Sequence, residues 1–183
     1  GEIGNLRLFR LSFGFPKRAE NDFRYVKKLG GGALLDCGGY NLKYATILLG
    51  NDATLEQAVS NYTNDLEVDL YGSAVMKNNK NQVAQLAFGM DNDYKCSIEV
   101  WGSLGTLYTN RIFTAPEGFV PTLEVSNNNV KKVIQLPSDD AFLKSIGTFE
   151  ECIYTKEQRL LNYGDIELQA NYIEEFITLS NKN

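Results

Sequence analysis

The sequence predicts a segregated α+β fold, in which a mostly antiparallel open sheet carries helices packed on one face. The order of the elements supports this fold: a strand and a helix come first, a long run of strands follows, and two helices close the chain. Apolar residues alternate at period two along the strands, most clearly at Ala84, Leu86, Phe88 and Met90. A length of 183 residues without an internal repeat predicts one domain over residues 1–183.

The first part of the chain predicts a strand and a helix. Residues 3–15 are rich in apolar and aromatic side chains, which is typical of a largely buried strand. Three glycines at 30–32 precede residues 33–49, which predict a helix, and Gly50 is a natural C-terminal stop.

The rest of the chain predicts a run of strands and then two helices. Residues 68–136 contain short alternating segments joined by turns rich in Asn, Asp and Gly, which favour hairpins. The helices are expected at about 139–153 and 163–179. In the second helix one apolar stripe is formed by Ile166, Ala170, Ile173 and Ile177.

The sheet face away from the helices is not simply polar, because Val83, Ala87 and Trp101 are expected on it. A covered second face would indicate a partner, most simply another copy of the chain. An open sheet with scattered apolar residues is the alternative, and the residues alone favour neither.

The composition excludes several kinds of function. The sequence contains no histidine, so Ser–His–Asp and Cys–His catalysis and histidine-ligated metals are excluded within this chain. A net charge of −5 argues against a nucleic-acid or anionic-membrane surface, and no apolar run is long enough to span a bilayer. Cys37, Cys96 and Cys152 form no CxxC pair, so we expect no metal site and a reducing, cytoplasmic location.

The segment most indicative of chemistry is residues 22–50, where the glycine run leads into the first helix. Asp36 and Tyr40 are four residues apart, so on a helix they share one face, and Lys43 continues it. A carboxylate, a phenol and an amine behind a glycine turn could bind a polyhydroxylated substrate and move a proton. The alternative is structural: Asp36 caps the helix, Tyr40 is a half-buried core residue and Lys43 is solvated.

Three stretches of this sequence resemble the C-terminal domain of Gfo/Idh/MocA-type oxidoreductases, the glucose–fructose oxidoreductase and inositol dehydrogenase family. They are the glycine-rich helix segment GGGALLDCGGYNLKYATILLG, the turn WGSLGT and the opening strand GEIGNLRLFRLSFGFP. The resemblance covers nearly the whole chain and implies the fold of that domain.

The resemblance also implies roles for the two residues of the helix start. Asp36 corresponds to the aspartate of the family motif, and Tyr40 to the position four residues later, where many relatives carry a proton-transferring histidine. A tyrosine there is typical of the branch that resembles glucose–fructose oxidoreductase and the nucleotide-sugar ketoreductases. In that branch a lysine from a Glu-Lys-Pro motif of the N-terminal Rossmann domain tunes the tyrosine.

Neither that Glu-Lys-Pro motif nor a GxGxxG nucleotide-binding motif occurs in this sequence. We therefore expect a C-terminal domain cut at the junction with its own N-terminal Rossmann domain, which would be the main binding site for NAD or NADP. The isolated chain is expected to be inactive. Arg24 and Lys43 are expected to contact substrate, although a surface ion pair is equally open for Arg24, and Gly31 and Gly32 are expected to let the cofactor approach closely.

The leading hypothesis is thus a substrate-binding and oligomerisation domain of an NAD(P)-dependent oxidoreductase that acts on CH–OH groups of a sugar, nucleotide-sugar or related polyol. A homodimer or homotetramer through the sheet face is expected. The first alternative is a non-catalytic binding or assembly module that retains the fold. The second is a carboxylate-based enzyme complete in this chain, for which the sequence offers no second acid to pair with Asp36.

Overall fold

The computed structural model describes residues 1–63 and 65–181, which contain eight strands and three α-helices. The strands are β1 Leu6–Phe15, β2 Thr54–Tyr62, β3 Asp69–Lys77, β4 Val83–Met90, β5 Lys95–Gly102, β6 Gly105–Asn110, β7 Thr122–Asn127 and β8 Val130–Gln135. The helices are α1 Gly39–Leu49, α2 Ala141–Tyr154 and α3 Lys156–Ser180, and a π-helical turn at Leu34–Gly38 leads directly into α1.

All eight strands belong to one sheet in the order β2-β3-β4-β1-β5-β6-β7-β8. The central strand β1 pairs in parallel with β4, and every other pair is antiparallel. Phe13 of β1 lies between Phe88 of β4 and Cys96 of β5. The prediction of a mostly antiparallel sheet is confirmed, and β1 carries the chain from the sheet centre into the glycine segment.

One face of the sheet is covered by α1 and α3, as predicted. Its buried side chains alternate along the central strands, because residues two apart on a strand share a face. They are Phe9, Leu11, Phe13 and Phe15 on β1, Ala84, Leu86, Phe88 and Met90 on β4, and Cys96, Ile98 and Val100 on β5. Leu42, Ala45 and Leu49 of α1 close this core from above.

The opposite face carries no helix within the described residues and holds the side chains that the sequence places there. Trp101 is 39% exposed and Ala87 is exposed, whereas Val83 is half-buried. The guanidinium of Arg10 stacks over the Trp101 ring at 4.8 Å, and the indole N–H of Trp101 donates to Glu99 at 2.7 Å.

Strand β2 was not predicted from the sequence, which is explained by its position at the sheet edge. Only Leu55 and Ala58 of this strand are buried, and a register shift between Leu55 and Gln57 separates them by three residues. A bulge of this kind breaks the period-two pattern on which strand prediction depends.

Helix α3 begins at Lys156, earlier than predicted, and of the predicted stripe Ile173 alone packs against the core. Tyr172 and Phe176 are buried, whereas Ile166 and Ile177 of the predicted stripe are 62% and 44% exposed. The Phe176 ring packs 5.6 Å from the ring of Phe88, and the Tyr172 hydroxyl donates to the Ala53 carbonyl at 2.6 Å. The aromatic pair fixes the rotation of the helix because its rings bury more area than the isoleucines.

Candidate functional site

The glycine run forms a tight loop in which this chain's own atoms occupy the space beside Gly31 and Gly32. A Cβ on Gly31 would lie 2.4 Å from the Arg24 carbonyl oxygen. Gly32 has φ +120, and a Cβ there would lie 2.4 Å from the Oδ1 atom of Asp69. Glycine is therefore required at both positions by contacts inside the chain, and a close approach of cofactor to Gly31 and Gly32 stays a prediction.

Asp69, the first residue of β3, holds the start of the helical segment. Its carboxylate is buried and its Oδ2 atom accepts the backbone N–H of Leu34 at 2.7 Å. Burial raises the pKa of Asp69, and hydrogen bonds from backbone N–H groups, including that of Ala33, oppose this rise. These N–H groups lie at the positive end of the helix dipole, which favours a carboxylate and offsets part of the cost of burying it.

Sequence reasoning missed Asp69. The sequence signal that could have found it is an acidic residue at the start of an apolar strand. Such a carboxylate needs a hydrogen-bond donor once the strand is buried. The partner that supplies this donor lies 35 residues earlier in the chain, so no local pattern connects the two.

The π-helical turn places Asp36 against Arg24. The Gly39 N–H donates to the Leu34 carbonyl, five residues back, so Asp36 lies on a wider turn than in an α-helix. The Nε–H group of Arg24 donates to the Asp36 carboxylate at 2.8 Å, and its Nη1 atom donates to Asp22 at 3.1 Å. Arg24 therefore joins two carboxylates. Asp36 and Asp22 each raise the pKa of the Arg24 guanidinium, and burial opposes this rise.

Tyr40 stands at the first turn of α1 with its side chain available for chemistry. Its ring lies 5.3 Å from Phe13 and 5.9 Å from Phe113, yet the residue is 48% exposed. Within the described residues its hydroxyl makes no hydrogen bond. By contrast, the hydroxyl of Tyr44, one turn later, donates to the Ile112 carbonyl at 2.8 Å, and burial raises its pKa. Of the two tyrosines on this helix, Tyr44 therefore has a structural role, and the hydroxyl of Tyr40 remains available for chemistry.

Lys43 lies apart from the Asp36–Arg24 pair. Its ammonium group bonds Asp165 of α3 at 3.1 Å, and the Gln169 side chain donates to the Gly39 carbonyl at 2.8 Å. These two contacts join α3 to the beginning of α1. The structure therefore brings Arg24 and Asp36 together beside the turn that carries Tyr40, and it directs Lys43 towards α3.

Other chemistries find little support in the part of the chain that the structure describes. Residues 1–63 and 65–181 contain no group of His, Cys, Asp and Glu side chains arranged to hold a metal ion. In the same residues no helix is long and apolar enough to cross a bilayer. The thiol of Cys37 is buried, and burial raises its pKa to about 12, so it is not a nucleophile at neutral pH.

Comparison with known proteins finds relatives along nearly the whole of this chain. A dTDP-3,4-didehydro-2,6-dideoxy-alpha-D-glucose 3-reductase from Actinomadura kijaniata is 36% identical over 86% of this chain and 47% of that protein. The protein of the same description from Streptomyces antibioticus is 32% identical over 98% of this chain and 55% of its own length. The crystal structure of a 3-ketoreductase from Actinomadura kijaniata with NADP and TDP-benzene superposes with a TM-score of 0.91 at 33% identity, over 98% of this chain and 55% of that one.

The chain therefore spans about half the length of the relatives that it matches. An aldose-aldose oxidoreductase from Caulobacter crescentus, at 18% identity and a TM-score of 0.80, shows the same fold. The sequence profile of the GFO/IDH/MocA C-terminal domain matches residues 1–108, which carry the glycine loop, Asp36 and Tyr40. With its sheet, its helix start and its relatives in agreement, the chain belongs to the Gfo/Idh/MocA family, as a C-terminal domain of that family.

Proposed function

We propose that this chain is the substrate-binding part of an NADP-dependent ketoreductase that reduces a keto group of a nucleotide-linked sugar. The observation that carries the proposal is the available hydroxyl of Tyr40 at the start of α1, beside the fixed Arg24–Asp36 pair. Reduction of a carbonyl needs a proton donor at the oxygen, and in a chain without histidine a phenol is a suitable one. The names of the relatives supply the substrate class.

In the proposed reaction Tyr40 donates its proton to the carbonyl oxygen of the sugar. NADPH, when bound, supplies the hydride for the carbonyl carbon. Asp36 holds Arg24 rather than Tyr40, so the pair fixes the wall of the site and leaves the phenol free to follow the substrate. Within the described residues no cation contacts the Tyr40 hydroxyl, and a lysine from another part of the protein would tune it, as in the tyrosine branch.

The phosphates of the cofactor do not fit at the glycine loop. The N–H group of Leu34, which a phosphate could use at the helix start, is already bonded to the Asp69 carboxylate. A second anion there would meet that buried negative charge. We therefore assign the main cofactor site to an N-terminal Rossmann domain of the kind that this family carries.

Helix α2 offers a surface for that domain. None of its residues is buried, although Phe142, Ile146, Phe149 and Ile153 form an apolar stripe along it. A groove of about 690 Å³ runs between α2 and the first half of α3. Because α3 is bonded to the start of α1, a domain docked on this groove would also lie beside Tyr40. An isolated helix of this length is marginal in water, so a packing partner would stabilise it.

The direct test of the proposed function uses the full-length protein and a dTDP-linked 3-keto sugar. We expect NADPH absorbance at 340 nm to fall with this substrate, and no consumption with the same hexose lacking the nucleotide. A protein that binds the dTDP-sugar without consuming NADPH or NADH would instead be the non-catalytic module.

The three unpaired cysteines agree with a reducing cytoplasm as the place of this reaction.

We also propose that the open sheet face forms a homodimer, and Trp101 is the residue to test. Trp101→Asp should turn the dimer into a monomer, because it removes a large exposed ring from this face and adds a second carboxylate beside Glu99, with which Arg10 already pairs at 3.6 Å. Light scattering of the chain measures the mass directly. Val130→Asp is the matched control, since Val130 is 70% exposed on an outer strand and on the other face. A wild-type monomer at high concentration would contradict the dimer.

A further inference from the structure

Besides Arg24, which also lies over the Phe15 ring at 5.7 Å, two arginines stack on aromatic rings at the end of the sheet where β1 and β4 finish. The guanidinium carbon of Arg18 lies 4.9 Å from the ring centroid of Phe15. That of Arg111 lies 5.3 Å from the ring centroid of Tyr94. Stacking of this kind holds a guanidinium flat and leaves its edge N–H groups free to donate.

The strand register places these two stacks side by side. Gly14 of β1 lies opposite Lys95 of β5, so one residue further along this antiparallel pair Phe15 lies opposite Tyr94. Neighbouring strands are about 4.8 Å apart, and residues two apart on a strand share a face. Phe15 therefore shares its face with Phe13, the residue whose ring contacts Tyr40.

The same cluster connects the arginines to the reactive phenol. Phe113, two residues after Arg111, packs 5.1 Å from Phe13 and 5.9 Å from Tyr40. Phe13 and Phe15 are themselves in ring contact at 6.5 Å. A substrate whose keto carbon reaches Tyr40 could thus extend its other end over the surface that covers these buried rings, towards Arg18 and Arg111.

The guanidinium groups of Arg18 and Arg111 are available to an anionic ligand. Within the described residues neither Arg18 nor Arg111 forms an ion pair, whereas Arg24 is bonded to two carboxylates. Asp22 also interacts electrostatically with Arg18, but it is one of the two carboxylates that are bonded to Arg24. Asp91, at the same end of the sheet, accepts the hydroxyl of Tyr25 at 2.5 Å.

The backbone at Arg111 supports the same interpretation. Arg111 has φ 52, a left-handed backbone conformation that residues other than glycine rarely adopt. Such conformations persist where the surrounding structure enforces them, and they cluster at ligand-binding positions. Here the conformation follows directly on the last residue of β6 and brings the guanidinium over Tyr94.

We propose that Arg18 and Arg111 bind the diphosphate of the nucleotide-linked substrate, one guanidinium to each phosphate group. The inference rests on the proposed function, because it assumes that the ligand carries a nucleoside diphosphate. Guanidinium N–H groups match phosphate oxygens in a bidentate manner, and a diphosphate has two such groups within the span of adjacent strands. NADP also carries a diphosphate, so the test separates the two ligands.

The test is a calorimetric titration of the full-length protein with dTDP, thymidine and NADP⁺. Arg18→Met and Arg111→Met are each expected to weaken dTDP binding by about tenfold or more, and the double variant further, since each loses charged hydrogen bonds. Binding of thymidine and NADP⁺ should not change. Arg7→Met is the matched control, because Arg7 is an exposed arginine at the opposite end of β1, and it should bind dTDP as the wild type does.

Unchanged dTDP affinity in the double variant overturns the assignment, as does a wild-type protein that does not bind dTDP. A loss confined to NADP⁺ overturns it in favour of the cofactor's diphosphate. Thermal unfolding confirms that the variants remain folded. The titration needs no turnover, so failure to consume NADPH would contradict the proposed function alone, and failure to bind dTDP would contradict this subsite.

Discussion

Tyr40→Phe in the full-length protein is expected to lower kcat by about 10²- to 10⁴-fold, the usual contribution of a positioned general acid. The substitution removes one oxygen atom and keeps the ring against Phe13 and Phe113. Because no hydrogen bond of the described residues involves the Tyr40 hydroxyl, stability should be unchanged. KM for the keto sugar should change little, since the loss falls on the proton transfer.

Tyr44→Phe is the matched control for this experiment. It removes the same atom from the same helix, but here the hydroxyl donates to the Ile112 carbonyl. We expect a loss of about 1 kcal/mol in the free energy of unfolding and a kcat close to that of the wild type. Steady-state NADPH kinetics and urea unfolding measure the two effects. Equal turnover in Tyr40→Phe and Tyr44→Phe would remove Tyr40 from the mechanism.

The contrast between these two tyrosines shows what the sequence can predict. Local spacing is enough to place Asp36 and Tyr40 at a glycine-led helix start, because glycine runs and helix signals act over a few residues. It does not separate Tyr40 from Tyr44. Both rings contact Phe113, and their environments differ through the carbonyl of Ile112, which lies 68 residues after Tyr44 and reaches α1 only in the folded chain.

The same reasoning explains the remaining differences from the sequence-based predictions. Strand alternation is local, so the central strands were predictable, whereas the bulge that disrupts β2 was not. The spacing predicts Lys43 on one face with Asp36 and Tyr40, but its ammonium group bonds Asp165 of α3, a partner that helix packing selects. The rotation of α3 likewise depends on the contact of Phe176 with Phe88. The spacing of apolar residues along the helix does not show this contact, because Phe88 lies on β4.

Asp69→Ala is expected to lower the free energy of unfolding of the chain by about 2–3 kcal/mol, the cost of leaving a buried donor unsatisfied. The Leu34 N–H loses its acceptor at 2.7 Å, and the space beside Gly32 that the carboxylate fills becomes empty. Urea unfolding followed by the fluorescence of Trp101, the single tryptophan, measures this change. Because the helix start would loosen, kcat of the full-length protein should also fall.

Asp69→Asn separates the hydrogen bond from the charge. The amide oxygen can still accept the Leu34 N–H, so at neutral pH we expect stability within about 1 kcal/mol of the wild type. Alanine and asparagine variants of equal stability would show that the side-chain oxygen is not the acceptor.

The pH dependence of this comparison follows from the raised pKa of Asp69 in the folded chain. A carboxyl group whose pKa is raised by folding binds its proton more tightly in the folded state than in the unfolded one. Its contribution is therefore fully present below the unfolded pKa of about 3.9 and is lost as the pH rises through the folded value. Relative to Asp69→Asn, the wild type should gain stability as the pH is lowered from 7 towards 4. A difference that stays constant over this range would mean that the backbone N–H bonds fully compensate the burial of the charge, leaving Asp69 as an ordinary helix cap.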